Sequence, residues 1–304
     1  MALSVIQTAL ELGMIFAIMS LGIYISFRIL NIPDLTIDGS FTLGVAVSAV
    51  FAVNGHPIIG IVLAIVAGGL AGMVTGFLQT KLKIQPILAG ILTMTALYSI
   101  NLRIMDKKPN IPLFGKKDIF TIFGGILPEN LVYLVVLAVI VLVTVLALYI
   151  FLKTQLGLSL RATGDNEFMV RASSINSDSM KILGLALANG LVALAGAIIA
   201  QYQNFADVNG GIGMMVNGLA SIIIGETIFG KKSLVRSLIA AVAGAIIYRF
   251  VLTIALRIGV EAIDLKLLSA VIVTIAISLP LIKSKIVKSK FAKNITEKRG
   301  ESNA

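Results

Sequence analysis

The sequence predicts an all-α membrane protein, a polytopic helical bundle of about nine spans. Of its 304 residues, 58% are apolar and only 13% are charged, and the mean hydropathy is +1.00. Because a soluble domain is about a quarter charged, soluble enzymes, disordered scaffolds and nucleic-acid-binding proteins are excluded as classes. Cysteine is absent and His56 is the sole histidine, which argues against disulfides, thiolate chemistry and histidine-based metal sites.

Nine segments have the roughly 20 mostly apolar residues that a membrane-spanning helix needs. They are 7–27, 36–53, 58–79, 86–105, 131–152, 182–202, 214–229, 237–256 and 265–282. Together they form a transmembrane domain over residues 1–282. The first segment has no basic residues before it and no clear cleavage site, so we predict a span rather than a signal peptide.

The distribution of lysine and arginine predicts a cytoplasmic C-terminus. With that end inside, 17 basic residues fall on inside segments and 5 on outside segments, which is the asymmetry of cell-membrane proteins. An odd number of spans then places the N-terminus outside. Residues 283–304 form a basic cytoplasmic tail, which we expect to contact anionic membrane lipid.

The inside loop 153–181 is predicted to contain a short capped helix. Asp165 or Asn166 can cap its N-terminus, Glu167 lies in the first turn and Arg171 lies near the end, as the helix dipole favours. Such a short helix is marginal alone, so its apolar stripe should be docked. The stripe consists of Phe168, Met169 and Ala172. Composition leaves two interpretations open: a helix lying on lipid, or a docking helix for a cytoplasmic partner.

Two stretches interrupt apolar runs with polar residues and glycine. One, 31–44, opens the second predicted span, and the other, 204–218, opens the seventh. Segments 28–38 and 204–216 are either re-entrant or plain loops. Both stretches begin Asn-x-x-Asp, one inside and one outside, a faint inverted repeat that points to a substrate path near the midplane. Asp34 is either a helix cap at the water interface or a residue of that path. The candidate path residues are Asp38, Gly39, Ser40, Asn217 and Gly218.

Ionisable residues inside spans usually face the bundle interior or a partner. Glu226, one turn from the inner surface, is predicted to have a capping or coupling role. Arg249 lies deep in the eighth span and needs a carboxylate, for which Glu226 and Asp38 are the candidates. No chain of carboxylates and histidines crosses the spans, and no nucleophile–base set suggests an enzyme.

Two glycine patterns have ordinary explanations. The segment 225–231 matches G-x-x-x-x-G-K, but Lys232 follows where a phosphate-binding loop has Ser or Thr, so this chain is not expected to bind ATP. Gly68, Gly72 and Gly76 form two G-x-x-x-G steps, which pack helices closely. We favour packing within one subunit over a dimer interface.

Three motifs together resemble ABC-transporter permeases of the branched-chain amino acid and ribose type. They lie in order and cover most of residues 10–285. They are Leu35-Thr-Ile-Asp-Gly-Ser-Phe-Thr-Leu-Gly44, the loop Arg161-Ala162…Asp165-Asn166…Ala172…Ile175-Asn176 with the Gly- and Ala-rich span 184–197, and Gly218-Leu-Ala-Ser-Ile-Ile-Ile-Gly225-Glu226…Phe229-Gly230. The segment that contains the acidic residues Asp34 and Asp38 resembles the corresponding segment of the permeases that serve amino acids, including aromatic ones.

The resemblance implies a permease subunit of a binding-protein-dependent importer rather than an enzyme. It implies a second permease subunit, in a homodimer or close heterodimer, two cytoplasmic ATPase subunits and an external solute-binding protein. ATP and magnesium would be bound by the ATPase, with no cofactor on this chain. The coupling residues would be Arg161, Asp165, Asn166, Glu167, Phe168, Arg171, Ala172 and Asn176. An ion-gradient-driven secondary transporter is the alternative, and a membrane scaffold ranks below it.

Overall fold

The computed structural model describes residues 2–124, 128, 131–261, 264–265, 267–275 and 278. Within them, seven helices are long and apolar enough to cross a membrane. They are α1 (Ala2–Ile23, continued by a π-helical segment Tyr24–Ile29), α2 (Thr36–Val53), α3 (Pro57–Thr80), α4 (Pro86–Ile104), α6 (Val132–Lys153), α9 (Ser177–Gln203) and α11 (Leu234–Ile258). The predicted all-α membrane architecture is confirmed.

Four shorter helices and a two-stranded ribbon lie between the spanning helices, and residues 265, 267–275 and 278 after α11 are also helical. The shorter helices and the two strands are α5 (Ile119–Phe123), α7 (Gln155–Asp165), α8 (Glu167–Ala172), α10 (Met214–Phe229), β1 (Asn110–Pro112) and β2 (Phe205–Asp207). The seventh predicted span is α10, which has only 16 residues. The ninth, 265–282, lies partly outside the described residues, and the predicted tail 283–304 lies wholly outside them.

Proline begins two of the spanning helices. Pro57 and Pro86 occupy the first turn of α3 and α4, where the missing N–H has no intrahelical partner to lose. At one end of the bundle, β1 pairs antiparallel with β2, with Ile111 opposite Ala206. The ribbon therefore ties the segment after α4 to the segment after α9.

Helix α9 is the centre of the bundle and packs against α1, α2 and α3. The glycines of α3 allow this contact, because a Cβ on Gly72 would collide with the backbone of Leu185 in α9. Gly68 and Gly76 face α9 in the same way. The interpretation of this glycine pattern as packing within one subunit is confirmed.

The segment between α9 and α10 is re-entrant. Near the end of α9, the Gln201 side chain donates to Ser48 Oγ (2.9 Å) and to the carbonyl oxygen of Pro57 (3.1 Å), where α2 and α3 meet. At Gly213 the chain has returned to Asp38, about three helical turns farther back along α2. Helix α10 therefore begins well inside the bundle, and it ends beside the π-helical end of α1, where Glu226 pairs with Arg28.

Candidate functional site

The loop 153–181 forms two helices rather than the single one predicted. Thr154 caps α7 by accepting the N–H of Gly157 (3.2 Å). Asn166 caps α8 by accepting the N–H of Met169 (3.1 Å), whereas Asp165 is the last residue of α7. Of the two candidate caps, the structure therefore uses Asn166. Asn176 caps α9 through the N–H of Ser179 (3.1 Å).

An ionic network fastens α8 to the start of α9. The Glu167 carboxylate accepts hydrogen bonds from Arg171 (2.8 Å) and Lys181 (2.6 Å). Arg171 also pairs with Asp178 in the first turn of α9 (2.8 Å). The hydrogen bond from Lys181 is the main reason that the pKa of Glu167 lies below its ordinary value. The network orients α8 without covering its outer face.

The tip of α8 is apolar and open. Phe168 is 86% exposed and Met169 is 61% exposed, and Ala172 is also exposed, while Val170 on the opposite face is buried. The stripe that we expected to be docked is therefore uncovered in this single chain. Exposed apolar groups clustered on an ordered element are typical of an interaction surface.

The base of the loop packs directly on the transmembrane bundle. A Cβ on Gly164 would collide with the backbone of Ile29, and a Cβ on Gly184 would collide with the side chains of Leu30 and Leu160. Arg161 lies exposed on α7. Helix α7 is thus in direct contact with the end of α1 and with α9.

The two interrupted segments, predicted on opposite sides of the membrane, meet at Asp38. Its two carboxylate oxygens accept the N–H groups of Gly213 and Met215, both at 2.8 Å. Asp38 thus caps the N-terminus of α10 from another helix. Beside it, Gly39 packs against α4, and its carbonyl oxygen accepts a hydrogen bond from Asn101 (3.3 Å).

The other candidate path residues have mostly structural contacts. Ser40 is buried, and its hydroxyl has no partner among the described groups. The Asn217 side chain accepts a hydrogen bond from Tyr248 of α11 (2.8 Å), and Gly218 packs against Ile23. Asp38 and Gly39 do line a cavity of about 260 Å³ between α2, α4 and the re-entrant segment.

The predicted partner of Arg249 is wrong. Glu226 pairs with Arg28, and Asp38 caps α10. The reason is geometric: α10 and α11 are antiparallel, so Glu226 lies near their connecting turn while Arg249 lies about four turns away along α11. Arg249 instead stacks on Phe16, with its Cζ 5.3 Å from the ring centroid.

Sequence analysis missed a buried polar chain at the start of α2. Asp34 is fully buried rather than at a water interface, and it accepts hydrogen bonds from the Thr36 N–H (2.9 Å) and the Asn189 side chain (2.7 Å). The Thr36 hydroxyl continues the chain to Thr75 and Thr93. The available signal was Asn189 itself, the amide in the apolar middle of α9.

A metal site is not formed by the part of the chain that the structure describes, where no three His, Cys, Asp or Glu side chains cluster. The segment 225–231 that matches a phosphate-binding loop is the end of α10, and Gly225 there packs on Ala240 of α11. The candidate site therefore comprises the exposed apolar tip of α8 and, within the bundle, a helix that starts at Asp38.

Comparison with known proteins matches residues 5–278 to the family described as "Branched-chain amino acid transport system / permease component". A tyrosine transport system permease protein of Clostridioides difficile is 44% identical over 89% of this chain and 90% of its own length. The ribose import permease RbsC of Escherichia coli K12 is 27% identical over 90% of this chain and 81% of its own. An uncharacterized protein of Rickettsia prowazekii, RP368, is 38% identical over 91% of this chain and 98% of its own length. No solved structure matches the chain.

Proposed function

Because the chain belongs to the family of permease components of branched-chain amino acid transport systems, we propose that it is the membrane subunit of an ATP-driven importer whose solute is an amino acid, an aromatic one in particular. Its similarity to a tyrosine transport permease over 90% of that protein's length supports the substrate class. The ribose permeases are more distant, at 27% identity.

The observation that carries the coupling mechanism is the exposed tip of α8. Phe168 and Met169 project from a helix whose orientation is held by the Glu167–Arg171 pair and by Lys181. A short helix held in this way can move as one body with its neighbours. We therefore assign the tip to the groove of a separate cytoplasmic ATPase, which binds the ATP and magnesium.

A contiguous set of contacts leads from α8 towards the centre of the bundle. Gly164 contacts Ile29 at the end of α1, and α9 carries Asn189, which binds Asp34 before α2. Helix α2 carries Asp38, which holds the start of α10. Contiguity alone does not establish coupling, so the proposal depends on variants that separate ATP hydrolysis from uptake.

The remaining parts of the proposal are assembly and topology. We expect two copies of the permease, two ATPase subunits and an external solute-binding protein in the complex. The excess of basic residues on the segments of α7 and α8 supports a cytoplasmic position for this loop and for the C-terminus, with the N-terminus outside.

The test is gentle affinity purification from the native membrane followed by mass spectrometry, with ATP-dependent uptake of radiolabelled L-tyrosine measured in parallel. We expect an ATPase to accompany the wild-type chain, and a Phe168→Ala/Met169→Ala variant to lose both the ATPase and uptake while still inserting into the membrane. Arg171→Ala should keep ATP hydrolysis but reduce uptake. Phe114→Ala is the matched control, because Phe114 is also exposed (75%) but follows β1, away from the loop.

Two results would overturn the proposal. Full uptake by the Phe168→Ala/Met169→Ala variant would remove α8 from the mechanism. Uptake that is insensitive to ATP depletion but abolished by an ionophore would identify a secondary transporter instead.

A further inference from the structure

A second cavity lies between α1, α2, α9 and the re-entrant segment, with a volume of about 200 Å³. This volume suits a small solute rather than a drug-sized molecule. Much of its wall is aromatic or thioether: Phe16, Phe41, Phe205 and Met214. Two polar side chains, Gln203 and Asp207, also line it. The cavity therefore combines a surface for a ring with a carboxylate.

Arg249 does not itself line this cavity, but it contacts one of the residues that form its wall. Its guanidinium stacks on Phe16, the same ring that forms part of the cavity wall. Its Nε is buried without a hydrogen-bond partner, and no carboxylate within the described ranges lies within ion-pairing distance of it. An unpaired cation within a membrane bundle is costly, and guanidinium groups match carboxylates in a bidentate geometry.

The other large cavities lack this combination. The cavity between α2, α3 and α4, about 510 Å³, and the one between α3 and α9, about 320 Å³, are lined without any charged side chain. The cavity that Asp38 lines offers a carboxylate whose two oxygens already bind the start of α10. The Phe16 cavity alone among these four has a carboxylate on its wall and an unpaired cation beside it.

We propose that the Phe16 cavity is the permease's own solute site and takes a zwitterionic aromatic amino acid. The solute's ring packs against Phe16 and its neighbours, its carboxylate pairs with Arg249, and its ammonium group pairs with Asp207. Aromatic and methionine side chains both favour contact with an aromatic ring. This assignment rests on the proposed function for its substrate class, and it adds a site within the membrane subunit.

The cavity is also placed to respond to α10. Met214, which lines it, lies between Gly213 and Met215, the two residues whose N–H groups bind Asp38. At its far end α10 is paired to Arg28 through Glu226. A shift of α10 would therefore change the cavity wall, as release of a bound solute requires.

Three probes that share a phenol ring separate the two charge contacts. L-tyrosine has both charged groups, tyramine lacks the carboxylate, and 3-(4-hydroxyphenyl)propionate lacks the ammonium. Equilibrium binding of each is measured on the purified, detergent-solubilised chain. We expect wild type to prefer tyrosine to both analogues. Arg249→Met should weaken the binding of tyrosine by at least about tenfold, which is the loss expected when one partner of a buried charge pair is removed.

The result specific to this proposal is a change, in each variant, of the preference for tyrosine over one analogue. Arg249→Met should bind tyrosine and tyramine equally, whereas Asp207→Asn should bind tyrosine and the propionate equally. Asn at position 207 can still accept the N–H of Asn209, as Asp207 does at 2.9 Å, so the turn is preserved. Arg257→Met and Asp106→Asn are matched controls, since both residues are exposed.

The proposal is overturned if wild type binds no probe, or if both variants keep the wild-type ratios. Loss of the dimer mass in Arg249→Met with unchanged ratios would assign the arginine to a second copy of the chain, and would also overturn it. Measurement of ATP-dependent uptake distinguishes failure of this site assignment from failure of the proposed function. If tyrosine is imported but the cavity variants bind normally, only the site is wrong; if a different solute is imported, the substrate class is wrong.

Discussion

Asp38 and Glu167 are two carboxylates that each hold the start of a helix, in very different surroundings. Asp38 accepts two backbone N–H groups at the N-terminus of α10, inside the bundle. Glu167 lies in the first turn of α8 and binds the side chains of Arg171 and Lys181 at the protein surface. Inside the bundle, a lost acceptor leaves polar groups without water to replace it. At the surface, water replaces the lost partner at little cost.

The largest effect is expected from Asp38→Ala. The N–H groups of Gly213 and Met215, whose hydrogen bonds to Asp38 are partly buried, would lose their acceptor, at up to about 1–3 kcal/mol each. We expect the melting temperature of the solubilised protein, measured by circular dichroism, to fall markedly. Asp38→Asn keeps one acceptor oxygen and should lie between Asp38→Ala and wild type. The exposed Asp106→Asn serves as control for Asp38→Asn, and equal melting of Asp38→Ala and wild type would contradict the capping role.

The same contrast explains which features could be predicted. The α8 cap and first turn are encoded within a few residues, because Asn166 binds Met169 three positions on and Glu167 binds Arg171 four positions on. Asp38 binds groups 175 and 177 residues away, and no local pattern specifies them. The spans were predictable from hydropathy, whereas α7 was missed because its mixed composition resembles a loop.

Arg249 shows why ion-pair partners are hard to predict from the sequence alone. The principle that a buried cation seeks a carboxylate led to Glu226 and Asp38, two of the acids in the apolar runs. Which acids are already committed depends on how α10 packs, and Arg28, which sequence analysis left unassigned, takes Glu226. The failure is itself informative, because it leaves Arg249 beside the Phe16 cavity without an acidic partner.

A smaller effect should follow Gly211→Ala, which tests the same interior contact by crowding. A Cβ at Gly211 would collide with the backbone carbonyl of Asp38 and with the Thr42 hydroxyl, at a cost of about 1–3 kcal/mol typical of overpacking. Gly210→Ala is a closely matched control, since its Cβ would come no nearer than 3.2 Å, to the carbonyl oxygen of Asp207. Equal melting temperatures for the two variants would show that the re-entrant segment does not pack tightly on α2.

An intermediate case is the ion pair at the other end of α10. The Arg28 and Glu226 side chains are 33% and 10% exposed, between the surroundings of Asp38 and those of Glu167. We expect Glu226→Gln to cost about 1–2 kcal/mol, between the values for exposed and buried pairs. The measurement is thermal melting at low and high salt. Loss of the salt dependence in the variant supports the pair, and identical salt responses would contradict it.

The smallest effect is expected at Glu167, and it should depend on pH. Because Lys181 holds the pKa of Glu167 below its ordinary value, the network's contribution is fully present above the unfolded pKa of about 4.3 and is lost as the pH falls through the folded pKa. Its size should be below about 1 kcal/mol, because the Glu167 and Arg171 side chains are 31% and 55% exposed. A global melting curve would miss so small a contribution, so a local probe is needed.

The chain has no tryptophan, so Phe168→Trp places a single tryptophan, which serves as a fluorescent probe, at the tip of α8. Its anisotropy should fall as the pH is lowered from about 6 to about 3, across the carboxylate range. Adding Glu167→Gln should lower the anisotropy at neutral pH and flatten this change, while adding Asp165→Asn, at the preceding helix end, should leave the change in place. A transition that survives Glu167→Gln would mean that another acid, with Asp178 the nearest, holds α8. In that case the surface network would be organised by α9 rather than by the first turn of α8.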